Sequence, residues 1–443
     1  MSDIDFCLHA SRILPIVPEN SVLEAHCICV GRDGVIAALM PSSEARQRYP
    51  DATHEDLGQR LLMPGLVNAH GHAAMTLLRG LADDQPLKNW LEDHIWPAEA
   101  RWVDEAFVLD GTRLAIAEML LSGTTCFSDM YFFPDAAAKA ITESGIRAQV
   151  AFPIIEFQNA WAKNADDHLF KGMQVRDDFK TNPRLSFAFG PHAPYTTTNQ
   201  TLERVLMYAE ELDSQIQIHL HEAEHEISES ISEHGQRPIA RLHELGLMSP
   251  RLQAVHMTQL SAEDITTVAD TGTHVIHCPS SNLKLASGLC PVPRLLENGV
   301  NVAIGTDGAA SNNMLDMFSE ARLTALAAKI SSGKATALPA HEALRMATIY
   351  GARALGLDDH IGSLEVGKAA DLIAIDLERL ECGPVYDPHS TLIYTATGSA
   401  VSDVWVSGKR LVKQRTLQTL DSKNLGERMR AWGAKIASAD AAR

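Results

Sequence analysis

The feature that most constrains the fold of this chain is an alternation, repeated eight times, of a short apolar segment with helix-forming sequence. Each apolar segment is continuous, as expected for a strand of a parallel sheet that is covered on both faces. Eight βα units predict an α/β fold of the (β/α)8 TIM-barrel type, although a doubly wound sheet shows the same alternation. The predicted strands occupy residues 61–70, 124–130, 147–155, 185–194, 215–222, 252–258, 273–282 and 301–308.

Polar side chains at the carboxyl ends of these strands favour the barrel over the open sheet. In a barrel these ends converge at one face and can build an active site, whereas in an open sheet they are spread along a line. We therefore predict a closed (β/α)8 barrel rather than an open sheet. The residues concerned are His70, His72, Asp129, His192, His219, Glu222, His256, His277 and Asp307.

The two ends of the chain carry a different pattern, of short β-forming runs joined by turns at 31–34 and 407–408. Neither end has enough strands to be stable alone. We therefore predict a small discontinuous β-sandwich with a C-terminal helix, composed of residues 1–62 and 363–443, next to a catalytic barrel of residues 63–362.

The charge of the chain limits its partners. With 38 basic and 56 acidic residues the net charge is -18, which argues against binding to nucleic acid or to an anionic membrane. No apolar run has membrane-spanning length, and the N-terminus lacks the basic start and apolar core of a secretion signal. We expect a soluble cytoplasmic protein whose seven scattered cysteines are reduced thiols.

A metal site is predicted at the end of the first strand, where two histidines flank a glycine. Residues i and i+2 of a strand point to the same side, so His70 and His72 can bind one ion. His219 and Asp307, at two further strand ends, complete the predicted ligand set. Three imidazoles and a carboxylate suit Zn²⁺ or Fe²⁺ and leave a position for water. The alternative is four unrelated core residues, each satisfied by hydrogen bonds.

The fourth strand ends in Gly190-Pro191-His192, where a second metal ion would need a bridging lysine. We therefore expect one divalent ion.

Three residues are candidates for proton transfer and charge stabilisation. Glu222, three positions after His219, is placed to act as general acid and base. Asp307 can bind the metal and accept a proton from the attacking water, and His256 can stabilise a developing oxyanion. We interpret His221 as structural or as a support for a ligand, whereas His277 could line the pocket or be a buried core residue.

Six segments resemble the amidohydrolase superfamily, and in particular its 5-methylthioadenosine/S-adenosylhomocysteine deaminases. They are MPGLVNAHGH, HLHE, VHMT, HCPSSN, GTDGAASNN and GSLEVGKAADLIAID. The resemblance implies a distorted barrel with a flanking β-sandwich, one divalent metal ion and hydrolytic removal of ammonia from an adenine ring. It also implies a small-molecule nucleoside as partner and a homo-oligomer as the possible assembly.

The resemblance extends to substrate binding. Residues 81–103 resemble the helical cover over the family's pocket, and Glu99 within them matches the glutamate that binds the ribose hydroxyls. His192 matches the histidine that contacts the purine. A carboxylate suits a vicinal diol because it can accept both hydroxyl protons.

The sequence departs from some relatives after the third strand, where residues 157–168 contain Lys163 but no arginine to hold the far end of the substrate. A homocysteine tail needs its carboxylate held, whereas a methylthio group is small and apolar. Acidic residues in the predicted cover would also disfavour a carboxylate if they faced the pocket. We therefore expect 5′-methylthioadenosine to be preferred over S-adenosylhomocysteine. The acidic residues are Asp83, Asp84, Glu92 and Asp93.

Three alternatives remain open at this point. A related mononuclear enzyme could act on a free base such as guanine, a pterin or a triazine, and such an enzyme would have no ribose for Glu99 to bind. An amide-ring hydrolase is disfavoured by the missing bridging lysine. A non-catalytic barrel is disfavoured by the complete set of predicted ligands and proton-transfer residues.

Overall fold

Two β-sheets organise the protein. The computed structural model describes residues 4–440, so residues 1–3 and 441–443 of the predicted terminal domain lie outside the described residues. The strands are β1 (Ile4–Ile13), β2 (Leu23–Gly31), β3 (Ile36–Pro41), β4 (Thr53–Asp56), β5 (Leu61–Pro64), β6 (Leu66–Gly71), β7 (Thr124–Asp129), β8 (Arg147–Ile154), β9 (Leu185–Pro191), β10 (Gln215–Leu220), β11 (Leu252–His256), β12 (His274–His277), β13 (Val302–Ile304), β14 (Leu372–Ile375), β15 (Val401–Val406), β16 (Lys409–Lys413) and β17 (Thr416–Leu417).

Strands β6 to β13 form a sheet of eight parallel strands in chain order. The backbone N–H of Asp307, after the last strand, donates to the carbonyl of His70 on the first at 3.1 Å, and this contact brings the two edges together. The predicted (β/α)8 barrel is thereby confirmed.

Helices connect and cover these strands. A π-helical turn, Trp90–Ile95, joins α2 to α3 in the segment over the barrel mouth. The helices are α1 (Ser42–Arg48), α2 (Leu87–Asn89), α3 (Trp96–Trp102), α4 (Glu105–Leu121), α5 (Pro134–Ser144), α6 (Ala165–Phe179), α7 (Asn199–Glu211), α8 (Glu224–His234), α9 (Pro238–Glu244), α10 (Ala262–Thr271), α11 (Pro279–Lys284), α12 (Val292–Glu297), α13 (Met317–Ser332), α14 (Ala340–Met346), α15 (Ile349–Ala354), α16 (Pro388–Tyr394) and α17 (Ser422–Asp440).

Local sequence sets the ends of these helices, as α10 illustrates. The side chain of Ser261 accepts from the backbone N–H of Asp264, and the carboxylate of Asp264 accepts from the N–H of Ser261, which is a capping box. The helix ends at Gly272, whose φ of 68° is left-handed and costs glycine little.

The strand predicted over residues 61–70 is divided in the structure between β5 in one sheet and β6 in the other. Gly65 lies at the division, and a Cβ atom there would stand 2.0 Å from Oγ1 of Thr125. Only glycine therefore allows the chain to pass between the two sheets at this point.

The strand predicted over 273–282 is also shorter, because Pro279 begins α11 and proline suits the first turn of a helix.

The two ends of the chain meet in one mixed sheet of nine strands, in the order β17-β16-β15-β14-β5-β1-β2-β3, with β4 paired to β1. Hairpins form at both predicted turns, between β2 and β3 and between β15 and β16. The exact boundaries proposed for the two domains stay a prediction.

The C-terminal helix α17 packs on the barrel helix α4. The ring of Trp432 lies 5.3 Å from that of Phe107, and Arg428 makes an ion pair with Asp110 at 2.8 Å.

No helix within residues 4–440 combines the length and the apolar character needed to span a membrane. All seven cysteines are buried and free.

Candidate active site

Three histidines converge at the carboxyl ends of the barrel strands. His70 and His72 lie at the end of β6, and His219 lies near the end of β10. One nitrogen atom from each ring lies within 4.8 Å of the corresponding atoms of the other two, and Nε2 of His70 is 3.3 Å from Nε2 of His219. The structure thus brings together the three imidazoles predicted as metal ligands.

The outer nitrogen of each ring shows that this arrangement fits a cation. In His70, Nδ1 donates to Oε1 of Gln217 at 2.8 Å. In His72, Nδ1 donates to the carbonyl of Met130 at 2.6 Å, and in His219 it donates to the carbonyl of His192 at 2.6 Å. When all three rings are neutral, the single proton of each lies on Nδ1, and the three Nε2 atoms present lone pairs to one another. Lone pairs repel, and a divalent ion between them would satisfy all three.

Asp307 adds a carboxylate to this cluster. Its Oδ1 lies 3.5 Å from Nε2 of His70 and 3.2 Å from Nε2 of His72, whereas its Oδ2 accepts from the hydroxyls of Ser281 at 2.6 Å and Ser311 at 2.9 Å. Burial opposes ionisation, but the contacts with the neighbouring imidazoles of His70 and His72 outweigh it and hold the pKa of Asp307 well below its usual range. The carboxylate is therefore ionised and held on both sides.

The same contact affects His72. Burial alone would lower the pKa of His72, but the hydrogen bond and the charge of Asp307 outweigh burial and raise it to about 9. A cation bound at this position would take the place of that proton, because metal ligands bind in the deprotonated form.

Glu222 and His256 lie beside the cluster. Oε2 of Glu222 is 3.6 Å from Nε2 of His256, and the ring of His256 lies 5.4 Å from that of His219. Burial, together with the charges of Asp307 and Glu226, raises the pKa of Glu222 well above its usual range. The protonated form of Glu222 is thereby favoured, and in that form the carboxyl group can donate a proton.

Backbone geometry marks two of these residues. His256 has a φ of 77° and Asp307 a φ of 60°, both in the left-handed region that side chains other than glycine adopt rarely. Such conformations cost of order 1 kcal/mol or more and concentrate at functional sites.

A cavity of about 670 Å³ opens above the cluster and includes all the predicted catalytic residues in its walls. Its outer part is apolar, with side chains from the α2–α3 segment and from the loop after β8. Within residues 4–440, no lysine or arginine lines it. The apolar walls include Trp90, Leu91, Trp96, Ile155, Phe157 and Leu285.

Glu99 lines the same cavity, from α3. Its Oε1 accepts a hydrogen bond of 2.7 Å from the hydroxyl of Tyr131. Burial raises the pKa of Glu99 to about 7, although the Tyr131 hydroxyl partly offsets this shift. The position of Glu99 in the pocket agrees with what the resemblance implied.

His192 also lines the cavity, and its ring lies 4.9 Å from that of His219. Its Nδ1 is 3.3 Å from Oγ1 of Thr196, and burial lowers its pKa to about 4. His192 is therefore neutral, and its carbonyl supports His219 while its ring faces the cavity.

Two other histidines lie outside the cavity walls. His221 is fully buried, with Nδ1 at 3.1 Å from the carbonyl of Gln259 and Nε2 accepting from the N–H of Ile239 at 3.1 Å. It thus stabilises the loops after β10 and β11. His277 is also buried and does not line the cavity.

The acidic residues of the predicted cover do not line the pocket. Asp83 instead makes an ion pair with Lys284 at 2.6 Å, and Glu92 and Asp93 are exposed. They therefore give no reason to disfavour a carboxylate, and only the lack of cations in the cavity wall does so.

Sequence reasoning missed several supporting residues. Gln217 orients His70, Tyr131 orients Glu99, and Ser281, Ser311 and Asn282 contact Asp307 or His256. The two serines and the asparagine lie in HCPSSN and GTDGAASNN, two of the segments that resemble the deaminase family, and this resemblance could have pointed to them. Gln217 stands two positions before His219, on the same side of β10.

The comparison with known protein families gives a direct result: residues 61–411 match the Amidohydrolase family. The chain belongs to the amidohydrolase family.

Within that family this amidohydrolase groups with the 5-methylthioadenosine/S-adenosylhomocysteine deaminases. A protein of that name from Teredinibacter turnerae is 53% identical over 433 residues, which are 98% of each chain.

Solved structures agree with this placement. An adenosine deaminase from Xanthomonas campestris with bound zinc superposes with a TM-score of 0.96 and 48% identity, over 99% of each chain. An atrazine chlorohydrolase from Arthrobacter aurescens, complexed with zinc, has a TM-score of 0.90 and 25% identity, over 96% of this chain and 99% of that one.

Proposed function

We propose that this amidohydrolase hydrolyses adenine nucleosides to the inosine-type product and ammonia, with 5′-methylthioadenosine as the preferred substrate. The observation that carries the proposal is the position of Glu222, a largely enclosed carboxyl group with a raised pKa, beside three converging imidazoles at the base of a nucleoside-sized cavity. The names of the similar deaminases support the same reaction.

One divalent metal ion, zinc as in the related adenosine deaminase structure, fits the cluster. We propose His70, His72, His219 and Asp307 as its ligands. A zinc ion with an open coordination position acidifies water towards neutral pH and so supplies a nucleophile.

The residues around the ion have complementary roles in this proposal. Glu222 donates its proton to N1 of the adenine ring, which makes C6 more electrophilic. Oδ1 of Asp307 accepts one proton from the attacking water, and this proton later leaves with the amino group as ammonia. The second proton of that water, on the C6 hydroxyl, passes to Glu222 as the carbonyl of the product forms, which restores the protonated carboxyl group. His256 stabilises the charge that develops at C6.

The cavity suits an adenine nucleoside with a small apolar 5′ substituent. Its volume of about 670 Å³ lies within the range of small-molecule sites. Glu99 would accept hydrogen bonds from the ribose hydroxyls, and His192 would contact the purine. The apolar outer wall suits a methylthio group, whereas the carboxylate of S-adenosylhomocysteine would find no cation there.

A substrate panel tests this proposal. Ammonia release by the zinc-loaded protein is measured with 5′-methylthioadenosine, S-adenosylhomocysteine, adenosine, adenine and guanine, with Asp307→Asn as the blank. We expect the highest kcat/KM for 5′-methylthioadenosine. Equal or faster turnover of S-adenosylhomocysteine would contradict the substrate preference, and turnover of a free base alone would contradict the proposed role of Glu99.

We also propose a cytoplasmic location and a homo-oligomeric assembly, with no nucleic-acid or membrane partner. The net charge of -18 argues against a nucleic-acid or anionic-membrane partner, and the resemblance to the deaminase family supports the assembly. Light scattering after size-exclusion chromatography tests the assembly, since a mass of 48.3 kDa would indicate a monomer.

A further inference from the structure

A buried asparagine contacts the outer nitrogen of His256. Asn282, in α11, is fully buried, and its Nδ2 lies 3.0 Å from Nδ1 of His256. On the other side of the imidazole, Nε2 faces the cavity and lies 3.6 Å from Oε2 of Glu222. The imidazole of His256 therefore lies between Asn282, which does not line the cavity, and the part of the cavity next to Glu222.

This contact determines which nitrogen carries the proton. The NH₂ group of an asparagine can only donate hydrogen bonds, so Nδ1 of His256 must be the acceptor. His256 is only 1% exposed, and burial disfavours the charged form of an imidazole. A neutral ring with an unprotonated Nδ1 has its single proton on Nε2.

The backbone holds Asn282 in place. Its N–H donates to the carbonyl of Cys278 at 3.0 Å, and its own carbonyl accepts from the N–H of Ser287 at 2.9 Å. The preceding residue, Ser281, donates to Oδ2 of Asp307 at 2.6 Å. Two consecutive residues of α11 thus contact two different groups of the candidate active site.

We propose that Asn282 is a positioning residue, which keeps the proton of His256 on Nε2 so that the ring can donate a hydrogen bond to the oxyanion-like centre at C6. The inference rests on the proposed deamination for its purpose, but the position of the proton can be measured without any substrate. An amide rotated by 180° would present Oδ1 to Nδ1 and place the proton on Nδ1 instead. Nε2 would then be an acceptor and could not stabilise negative charge.

The first test is a ¹⁵N NMR spectrum of the zinc-loaded protein with labelled histidines, in which the signals of His256 are assigned by their loss in His256→Gln. We expect His256 to show a protonated Nε2 and an unprotonated Nδ1. A protonated Nδ1 in the wild-type protein would overturn the inference. The proton position is read from the wild-type protein, and the variant serves only to assign the signals.

The second test uses Asn282→Asp, which replaces the donor by an acceptor of nearly the same shape. The carboxylate would draw the proton to Nδ1, so we expect kcat to fall about 10²–10³-fold, as for the loss of one oxyanion donor. KM and zinc content should change little. Asn298→Asp, at an exposed site after α12, is the matched control and should keep full activity.

The outcomes separate this inference from the proposed function. An unchanged kcat in Asn282→Asp, with wild-type zinc content, would overturn the role of Asn282 even if the protein is a nucleoside deaminase. A protein inactive on every nucleoside, but with the proton of His256 on Nε2, would contradict the proposed function and leave the proton position established.

Discussion

Nδ1 of His70 lies 2.8 Å from Oε1 of Gln217, inside the barrel. The amide nitrogen of Gln217 donates to Oε1 of Gln253 at 2.6 Å and to the hydroxyl of Ser128 at 3.1 Å, so Oε1 is the atom turned towards His70. This network orients a proposed metal ligand from a layer that most barrels fill with aliphatic side chains.

Substitution of Gln217 should weaken metal binding. We expect Gln217→Leu to lower the affinity for zinc about 10–100-fold, because His70 loses the acceptor that fixes its proton on Nδ1. Gln217→Glu keeps an acceptor oxygen and should retain more of the affinity. Competition with a chromogenic chelator measures the effect, and equal affinity in Gln217→Leu and the wild type would contradict it.

Glu222 should be needed for the chemical step more than for binding. We expect Glu222→Gln to lower kcat about 10²–10⁴-fold with little change in KM, since the amide fills the same space but has no acidic proton to give. Steady-state kinetics with 5′-methylthioadenosine measure this effect. Glu224→Gln, exposed at the start of α8, is the control; a loss of similar size there would show that the effect is not specific.

The ionisation of Glu99 should appear in the pH dependence of KM. Its pKa of about 7 means that the carboxylate is ionised above that pH and can accept both ribose hydroxyl protons. As the pH falls below about 7 the carboxylate becomes protonated, so we expect KM for ribonucleosides to rise. A 2′,3′-dideoxy analogue lacks the diol, and a parallel rise in its KM would contradict the assignment.

Tyr131 offers a test of the same contact from the other side. Its hydroxyl stabilises the ionised form of Glu99 and so lowers the pKa of that carboxyl group. Tyr131→Phe removes this hydrogen bond, and the rise in KM should begin at a higher pH than in the wild type. An unshifted profile would show that the Tyr131 hydroxyl has no influence on the ionisation of Glu99.

An ion pair links the barrel to the terminal sheet. Arg147, on β8, contacts Asp371 through Nε at 2.8 Å and through a second nitrogen at 3.1 Å, and both side chains are buried. Loss of one partner leaves the other charge unpaired, so Asp371→Asn should lower the free energy of unfolding by about 3–5 kcal/mol.

Urea unfolding measures that loss, with the exposed pair Arg353–Asp358 as the comparison. Asp358→Asn should change the free energy of unfolding by less than about 1 kcal/mol, because surface ion pairs contribute little. Equal effects of the two substitutions would contradict the structural role assigned to Asp371.

Much of the fold could be predicted because strand alternation and strand-end polar residues are visible in the sequence. The eight barrel strands and the convergence of His70, His72, His219 and Asp307 followed from that pattern. The division of the first strand at Gly65 did not, since it depends on a close approach to Thr125 from a distant part of the chain.

The partners of the histidines proposed as metal ligands could not be predicted either. His72 and His219 donate to backbone carbonyls, of Met130 and His192, and a carbonyl has no signature in the sequence. The direction in which the acidic residues of the cover segment point could not be predicted for a related reason, because the pairing of Asp83 with Lys284 depends on tertiary packing.

The central claim is tested most directly by the products formed from 5′-methylthioadenosine. After incubation with the zinc-loaded protein, ammonia and nucleoside products are quantified together. The proposed function predicts one ammonia and one 5′-methylthioinosine for each substrate consumed, and neither product with Asp307→Asn. Release of free adenine, or no turnover by a protein that contains its zinc, would contradict it.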